Sequence, residues 1–352
     1  LLQKLLADDG VIFISIDDTE CSNLILICNE IFGASNFVAN VSWQRTYSPR
    51  NDSKGIVSEV EHLVVFSKNP GWQPNKLPRT EAMDSRYKNP DNDVAPWKSS
   101  DAFAPGAATH QGMVYAIQHP FTGEMLYPSN GRCWRYQQSS MLEYMQGWCN
   151  YRLENLHDEK ERARVCGIDE SAVRKDVLAI VLEEPLEVSA AKAQKVYNRG
   201  RWPGFYFTKG GYGGIARKTY LENVGGRLPT NLWMYEETGH TDEAKKELIS
   251  LFGGRSPFDT PKPTRLLDFV LKVAGTSETL MLDSFAGSGT TAHAVLNANK
   301  ADNGNRHFIL IEMMDYADSI TAERVKRVIK GYGEGKNACL LYTSPSPRDM
   351  RR

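Results

Sequence analysis

The sequence predicts an α/β fold, a twisted sheet with helices on both faces, because buried strands and helices alternate near both ends of the chain. Val11–Ile16 is a continuous apolar run, as expected of a strand buried on both faces, and a helical stretch follows it as far as Phe32. Residues 279–282 form a second apolar run, followed by a glycine turn, a helical stretch at 291–301 and a strand at 307–311. This alternation with short turns favours a doubly wound sheet.

The first 72 residues are predicted to contain two helices and three strands. Leucines at helical spacing favour a helix over 1–8, and residues 37–43 and 60–66 have the pattern of strands that follow the second helix. Asp17 and Asp18 precede that second helix, so we expect their carboxylates to cap its free N–H groups. A pair of catalytic carboxylates is the alternative.

The middle of the chain, residues 73–230, has few periodic segments and scattered prolines, glycines and aromatic residues. Alternating charge over 154–164 predicts a solvated helix, and 174–184 fits either a helix or a strand. Between 186 and 228 there are eight Lys or Arg residues against two Glu, with seven aromatic residues among them and six glycines between 200 and 214.

Lys and Arg bind phosphates, and aromatic faces stack on extruded bases, so this segment is predicted to contact DNA. A glycine-rich surface loop with ordinary solubilising charge is the alternative. The candidate DNA-binding residues are Arg199, Arg201, Trp202, Lys209, Arg217 and Lys218.

The last third is predicted to contain three helices around the glycine turn. A short amphipathic helix covers 243–251, and Pro263 opens a second helix that ends at Gly275. After the strand at 307–311, Asp318 is expected to cap a helix over 319–330.

The glycine turn is the candidate binding site. Gly287 and Gly289 let the backbone approach a ligand without an intervening side chain. Glu312 lies 23 positions after Gly289 and follows the strand at 307–311, so its carboxylate is expected at the strand tip, where it can accept from ribose hydroxyls. An ordinary βα turn that contains glycine is the alternative.

Composition limits the other possibilities. The net charge is −1, so any nucleic-acid contact must come from a local patch. The six cysteines form no C-x-x-C pair and no zinc pattern, which predicts free thiols in a reducing cytoplasm and no metal site. The longest apolar runs are too short to cross a membrane.

The segment Asp-Ser-Phe-Ala-Gly-Ser-Gly-Thr-Thr, residues 283–291, resembles the S-adenosylmethionine motif of amino-methylating DNA methyltransferases. It resembles most closely the modification subunit of type III restriction-modification systems, and Asn89-Pro90-Asp91 lies in a stretch typical of the same subunits. The resemblance implies a Rossmann-like methyltransferase fold in permuted order. That order is a catalytic half at 1–72, a target-recognition insertion at 73–230 and a cofactor half at 231–338.

The resemblance also implies the cofactor contacts. Residues 285–289 would curl around the methionine part, Asp283 would lie near its ammonium, and Glu312 would hold the ribose. Lys262 would help to position the carboxylate, with a plain surface lysine as the alternative. The implied cofactor-binding residues are Asp283, Phe285, Ala286, Gly287, Gly289, Thr290, Lys262 and Glu312.

The family's catalytic tetrapeptide, Asp-Pro-Pro-Tyr, is absent from this sequence. In the family it precedes the stretch that Gly10 to Asp18 resembles, so we expect an incomplete core that is inactive by itself and assign no catalytic residue. Residues 339–352 resemble a translated adapter tail and are left out of the fold.

The function implied by the resemblance is methyl transfer from S-adenosylmethionine to adenine N6 in a specific DNA sequence. The implied partners are double-stranded DNA, a second copy of the chain and a restriction endonuclease subunit. Two alternatives stay open: a cytosine-N4 methyltransferase, and a non-catalytic fragment that binds DNA or a partner subunit.

Overall fold

The computed structural model describes residues 1–48 and 55–332, so the segment 339–352 lies outside the described residues. The strands are β1 (Val11–Ile16), β2 (Phe37–Gln44), β3 (Val60–Ser67), β4 (Trp97–Asp101), β5 (Phe103–Pro105), β6 (Ile117–Gln118), β7 (Met125–Leu126), β8 (Arg132–Trp134), β9 (Tyr151–Glu154), β10 (Ala179–Leu182), β11 (Phe205–Phe207), β12 (Ile215–Tyr220), β13 (Leu232–Trp233), β14 (Leu280–Asp283) and β15 (His307–Leu310). The α-helices are α1 (Leu2–Leu5), α2 (Cys21–Phe32), α3 (Glu81–Asp84), α4 (Gln138–Gln146), α5 (Glu159–Cys166), α6 (Leu186–Arg199), α7 (Tyr235–Thr238), α8 (Thr241–Phe252), α9 (Thr264–Ala274), α10 (Thr290–Asp302) and α11 (Glu323–Lys330).

The chain folds as two compact units. Among the described residues, the first combines Leu1–Pro78 with the chain from Gly226 onward, and the second is Arg79–Gly225. The second unit differs by a few residues at each end from the insertion predicted at 73–230. Its role in target recognition stays a prediction.

The first unit is an α/β structure with two sheets. One sheet has the order β1-β3-β2-β13, and the other pairs β14 with β15. The predicted doubly wound sheet is only partly present, since such sheets are mostly parallel. Here β3 runs antiparallel to both β1 and β2, whereas β13 with β2 and β14 with β15 are parallel. Strands β2 and β3 are consecutive, and antiparallel neighbours can be joined by a loop without a crossover helix.

Helices cover both faces of the larger sheet, as the sequence predicts. Along β3, Leu63 and Val65 pack in one hydrophobic cluster with Phe269 and other residues of α9. The intervening Val64 and Phe66 pack in another, with three residues of α2: Cys21, Cys28 and Phe32. Because alternate side chains of a strand point to opposite faces, a run that is apolar at every position fits a strand covered on both sides.

The predicted helix caps at Asp17 and Asp18 are wrong. Helix α2 begins at Cys21, and its N-cap residue Glu20 makes no side-chain capping bond. The Asp17 carboxylate accepts from the backbone N–H of Thr19 instead. Asp18 accepts from Ser58 Oγ at 2.8 Å and contacts His62 Nε2 at 2.7 Å, and the bond to His62 lowers the pKa of this carboxyl.

The cap predicted at Asp318 is also wrong. Residues 317–322 form one π-helical turn that runs directly into α11, so Asp318 lies inside a helical segment rather than before it. A π turn adds one residue to a helical segment and shifts which side chains face inward. Here Thr321 is buried at the end of that turn.

The second unit is organised around a core of aromatic side chains that includes Trp97, Trp134, Trp148, Phe205 and Phe207. Short strands surround it in a sheet ordered β11-β12-β4, a sheet ordered β7-β6-β10-β9 and the pair β5-β8. Within the segment 174–184, which fits either a helix or a strand, residues 179–182 form strand β10. The charged stretch 154–164 divides into the end of β9 and part of α5.

Helix α5 is less solvated than its alternating charge predicts. Arg162 is buried, its Nε donates to Asp158 at 2.8 Å, and its Nη1 donates to the carbonyl of Arg174 at 2.6 Å. The alternation of charge along the sequence does not distinguish this inward-facing arginine from the outward-facing Arg164 beside it.

A buried ion cluster joins the ends of the second unit. Lys218 on β12 donates to Asp91 and to Asp93, both at 2.5 Å, and its side chain is fully buried. Asp91 also accepts from the backbone N–H of Trp202 and from the indole of Trp97. Burial opposes ionisation of Asp93, but hydrogen bonds from Lys218 and Tyr220 outweigh it and lower the pKa of that carboxyl. Asp91 therefore ties strand β12 to the segment that follows α6.

We expect Lys218→Met to lower the free energy of unfolding of the second unit by about 3–5 kcal/mol, because two buried carboxylates lose their cation. Urea denaturation measures the change, with hydrogen exchange of the amides in β4, β11 and β12 as the readout for the second unit. Lys195→Met on the exposed face of α6 is the matched control, with an expected effect within about 0.5 kcal/mol. Equal midpoints for the two variants would contradict the structural role of Lys218.

Candidate functional site

The glycine turn lies at the carboxyl ends of two parallel strands. In β14 and β15, Asp283 is paired with Leu310, so the loop 284–289 and residues 311–312 leave the sheet at the same edge. The backbone N–H of Ala286 donates to the carbonyl of Ile311 at 3.1 Å and continues the contact beyond the strands. This edge is where ligands bind in open α/β sheets.

Both glycines adopt left-handed backbone conformations. Gly287 has φ of 52° and Gly289 has φ of 77°, a region that residues with a Cβ rarely enter. An added Cβ at Gly289 would lie 3.0 Å from the carbonyl oxygen of Thr321, so this position also has no room for a side chain. At Gly287 the backbone angle, rather than a neighbouring atom, requires glycine.

Glu312 closes the loop from the second strand. One carboxylate oxygen accepts from the backbone N–H of Gly287 at 2.8 Å, and the other accepts from the N–H of Met314 at 3.0 Å. The bond from Met314, together with that from Gly287, lowers the pKa of Glu312. Glu312 is therefore an ionised acceptor placed at the edge of the glycine turn.

Asp283 supports the loop from within. Its Oδ1 accepts from the backbone N–H of Phe285 at 3.1 Å, and its Oδ2 accepts from Thr291 Oγ1 at 2.6 Å. The ring of Phe285 is 84% exposed, whereas the neighbouring Ala286 is buried. The loop thus presents the ring of Phe285 to solvent, with the half-buried Gly287 close to it and the Asp283 carboxylate behind.

Lys262 and Thr290 meet through the main chain. Thr290 is buried, and its hydroxyl donates to the carbonyl of Lys262 at 3.2 Å. The ammonium of Lys262 pairs with Glu61 and lies 5.2 Å from the centre of the Trp43 ring. The backbone of Lys262 therefore contacts the start of α10, while its charge faces Glu61.

Sequence reasoning missed a buried polar cluster under the loop. Arg324 of α11 is fully buried and reaches Ser288, Thr290, Thr264, His293 and Glu247. Ser288 lies inside the recognised motif, but nothing local marks Arg324, which is one of four charged residues in Glu-Arg-Val-Lys-Arg at 323–327. Arg324 differs from its charged neighbours only in that its side chain faces the interior of the unit.

An open groove of about 470 Å³ adjoins Glu312. It lies between β15 and the helical segment that contains the π turn. Its walls include Phe308, Leu310, Glu312, Ala317, Thr321 and Val325. One acidic side chain at the end of a mainly apolar groove suits a flat ring that carries polar substituents.

The structure separates the six candidate DNA-binding residues. Arg199, Arg201 and Lys209 are exposed, and Arg217 is half-buried. The DNA contact predicted for Lys218 is wrong, because its ammonium is buried between Asp91 and Asp93. Trp202 is half-buried, and Tyr197 and Tyr206 stack against its ring at 4.7 and 5.7 Å, so its base-stacking role stays a prediction.

Most of the interleaved aromatic residues are structural. Phe205, Tyr206 and Phe207 of β11 are buried in the core of the second unit. Tyr212 is 64% exposed and lies on the turn after Lys209. The exposed feature of this segment is therefore a basic edge with a single protruding tyrosine, rather than a row of aromatic faces.

Residues 1–48 and 55–332 contain no group of three His, Cys, Asp or Glu side chains that could hold a metal ion. The five cysteines in this part of the chain are free and buried. No helix described by the structure is long and apolar enough to cross a membrane.

The chain is similar to known DNA-modifying enzymes over nearly all of its length. It is 30% identical over 345 residues to the type III restriction-modification enzyme StyLTI Mod subunit of Salmonella typhimurium, an alignment that covers 93% of this chain and 43% of the relative. It is 27% identical to the type III EcoPI Mod subunit of Escherichia phage P1, with 89% and 43% covered. It is also 27% identical to the type II methyltransferase M.KpnI of Klebsiella pneumoniae, with 88% and 63% covered.

The chain thus spans less than half the length of these two Mod subunits. The DNA methylase family (N6_N4_Mtase) matches residues 1–323, which include the glycine loop, Glu312 and the whole second unit. The chain therefore belongs to the DNA methylase family.

Proposed function

We propose that these residues form the cofactor-binding half and the target-recognition region of a site-specific DNA methyltransferase of a restriction-modification system. The donor is S-adenosylmethionine and the acceptor is adenine N6. The observation that carries the proposal is the glycine turn closed by the Glu312 carboxylate, in a chain of the DNA methylase family. Similarity to the two type III Mod subunits supports the restriction-modification assignment.

The residues present fit this cofactor. Glu312 is an ionised acceptor suited to the ribose hydroxyls, and the groove beside it suits the adenine ring. The exposed Phe285 and the glycine backbone would surround the methionine part. Asp283, Ala286, Gly289 and Thr290 would shape this loop, and the Lys262 backbone would support it from behind.

Bound S-adenosylmethionine would supply an electrophilic methyl group on a sulfonium. The role of this chain would be to fix the position of the cofactor. Adenine N6 is a poor nucleophile because its lone pair is delocalised into the ring. Transfer therefore depends on aligning the extruded base with the methyl group. A loop held by Glu312 on one side and by Arg324 below provides a fixed platform for that alignment.

We assign no catalytic residue within the described chain. The permuted order of the proposal places residues 1–72 before the target-recognition region and the cofactor half after it. Strands β1 and β14 each lie at an edge of their sheet among the described residues. A strand carrying the family's Asp-Pro-Pro-Tyr segment, outside this sequence, would pair with these edges and complete the core.

The second unit is proposed to contact double-stranded DNA through the exposed Arg199, Arg201 and Lys209, with the half-buried Arg217 beside them. Dimerisation and association with a restriction subunit belong to the same proposal. Mass spectrometry of nucleosides from modified DNA tests the adenine assignment, because a cytosine-N4 enzyme would give a different methylated base.

Replacing Gly287 with Val is expected to abolish S-adenosylmethionine binding while the protein stays folded. A β-branched residue disfavours the φ of 52° at this position, and its Cβ would lie 3.4 Å from the ring of Phe258. Calorimetric titration of the full-length protein measures the affinity. Gly254→Val is the matched control, since Gly254 has φ of 68°, lies outside the loop and has no atom within 4 Å of an added Cβ. Unchanged affinity for Gly287→Val would contradict the assigned site.

Glu312→Ala is expected to weaken S-adenosylmethionine binding by about 1.5–3 kcal/mol, because one charge-assisted acceptor is lost. DNA affinity should not change. Glu312→Gln retains one acceptor oxygen and should bind the cofactor with intermediate affinity. A variant that loses DNA affinity but keeps cofactor affinity would place Glu312 on the wrong side of the protein.

The triple variant of Arg199, Arg201 and Lys209 to Ala should reduce the salt dependence of DNA binding. The expected change in slope is about one unit for each lost phosphate contact. The matched control removes three exposed charges elsewhere in the same unit, Lys160, Arg164 and Lys175. Identical slopes for the two triple variants would show that the basic edge does not meet DNA.

A further inference from the structure

We infer that Arg324 is a positioning residue that holds the glycine turn in its binding conformation from beneath. The inference rests on the proposed function, because it assigns Arg324 to the loop that would hold S-adenosylmethionine. Arg324 has no accessible surface, so its role is to fix the groups that surround the ligand and not to contact the ligand.

The guanidinium of Arg324 connects the loop with helices α8 and α9. Its Nη1 donates to Ser288 Oγ at 3.1 Å and to Thr290 Oγ1 at 2.9 Å, the residues on either side of Gly289. Its Nη2 donates to Glu247 of α8 at 2.7 Å and to Thr264 of α9 at 3.1 Å. A planar fork spreads five N–H donors over three nitrogens and can reach such separated acceptors at once, whereas the three donors of a lysine ammonium start from one nitrogen and reach fewer of them.

The helical segment 317–330, which contains Arg324, binds the loop at a second point. Thr321, three residues before Arg324, donates its hydroxyl to the carbonyl of Gly287 at 2.6 Å. The π turn at 317–322 sets the direction of Thr321, and α11 sets that of Arg324. One continuous segment therefore holds Gly287 through its backbone, and it holds Ser288 and Thr290 through their hydroxyls.

The surrounding groups keep this cluster in one charge state. His293 of α10 contacts Arg324 Nη2 through Nδ1 at 3.1 Å, and Tyr332 Oη lies 3.3 Å from His293 Nε2. Burial, together with the positive charge of Arg324, lowers the pKa of His293 to about 3. The imidazole is therefore neutral beside the guanidinium, and Glu247, 3.7 Å from the ring, provides the countercharge.

The buried cluster explains why the loop can be exposed and still ordered. Phe285 is solvent-exposed, so apolar packing of its ring does not restrain the turn. The restraints come from hydrogen bonds below the loop at Gly287, Ser288 and Thr290 and from the Glu312 carboxylate beside it. Loss of Arg324 leaves the contacts of Glu312 and Thr321 with Gly287 and removes the guanidinium bonds to Ser288 and Thr290.

The test is amide hydrogen exchange in the cofactor-free full chain, compared between the natural protein, Arg324→Met and Arg324→Lys. We expect the amides of residues 287–290 to exchange about tenfold faster or more in Arg324→Met, with unchanged exchange in β1 and β3. Arg324→Lys retains the charge but not the fork, and its exchange should be intermediate. The dissociation constant for S-adenosylmethionine should rise in the same order.

The control for the loss of a buried arginine is Arg162→Met in the second unit, which removes a similarly buried guanidinium paired with Asp158. It should lower stability and leave both loop exchange and cofactor affinity unchanged. Ser288→Ala removes one acceptor of Arg324 and keeps the buried charge, so it tests the contact even if Arg324→Met fails to fold.

A third readout is the titration of His293, followed by NMR. Removal of the adjacent cation should raise its pKa from about 3, with Glu247 close enough to stabilise the protonated ring. The inference would be overturned if Arg324→Met and Ser288→Ala both kept the loop exchange rates and the S-adenosylmethionine affinity of the unsubstituted protein. A natural protein that binds no S-adenosylmethionine would overturn the proposed function, and the exchange rates would still decide whether Arg324 holds the turn.

Discussion

The parallel pairing of β14 with β15 is the constraint on which the cofactor site depends. The register that places Asp283 opposite Leu310 brings the glycine turn and Glu312 to one edge, although 25 positions separate Gly287 from Glu312. The carboxylate can then accept from a loop amide, and the left-handed glycines can present backbone to a ligand. A shift of one residue would turn the side chains of β15 to the opposite face and remove this contact.

Each unit also contains a buried cation surrounded by polar groups. Lys218 lies between two aspartates, and Arg324 lies between Glu247 and three hydroxyls. Withdrawal of an ion from water costs on the order of several kcal/mol, so such groups persist only when nearly all of their bonding capacity is used. Both cations connect segments that are distant in the sequence, which suits them to fix the conformation of a neighbouring loop.

The basic segment at 186–228 shows which features of a DNA-binding surface the composition predicts and which it does not. The number of its charged and aromatic residues carries no information on whether each side chain faces the core or solvent. Lys218 turns into the unit because Asp91 accepts from its ammonium. Asp91 also accepts from the backbone N–H of Trp202, and it lies more than one hundred positions before both residues. The Asn89-Pro90-Asp91 segment, whose role the sequence left open, thereby receives a structural role. The exposed Arg199, Arg201 and Lys209 keep the role proposed for them.

The sequence by itself determined the α/β class, the strands β1, β3, β14 and β15, the glycine turn and the acidic residue that follows the second strand. These features depend on local periodicity, on backbone angles that only glycine adopts readily and on motif order, all of which are written along the chain. Tertiary structure decided the antiparallel course of β3, the uncapped start of α2 and the burial of Arg324 and Lys218. These depend on partners distant in the sequence, and a side chain's type does not reveal which partner it will meet.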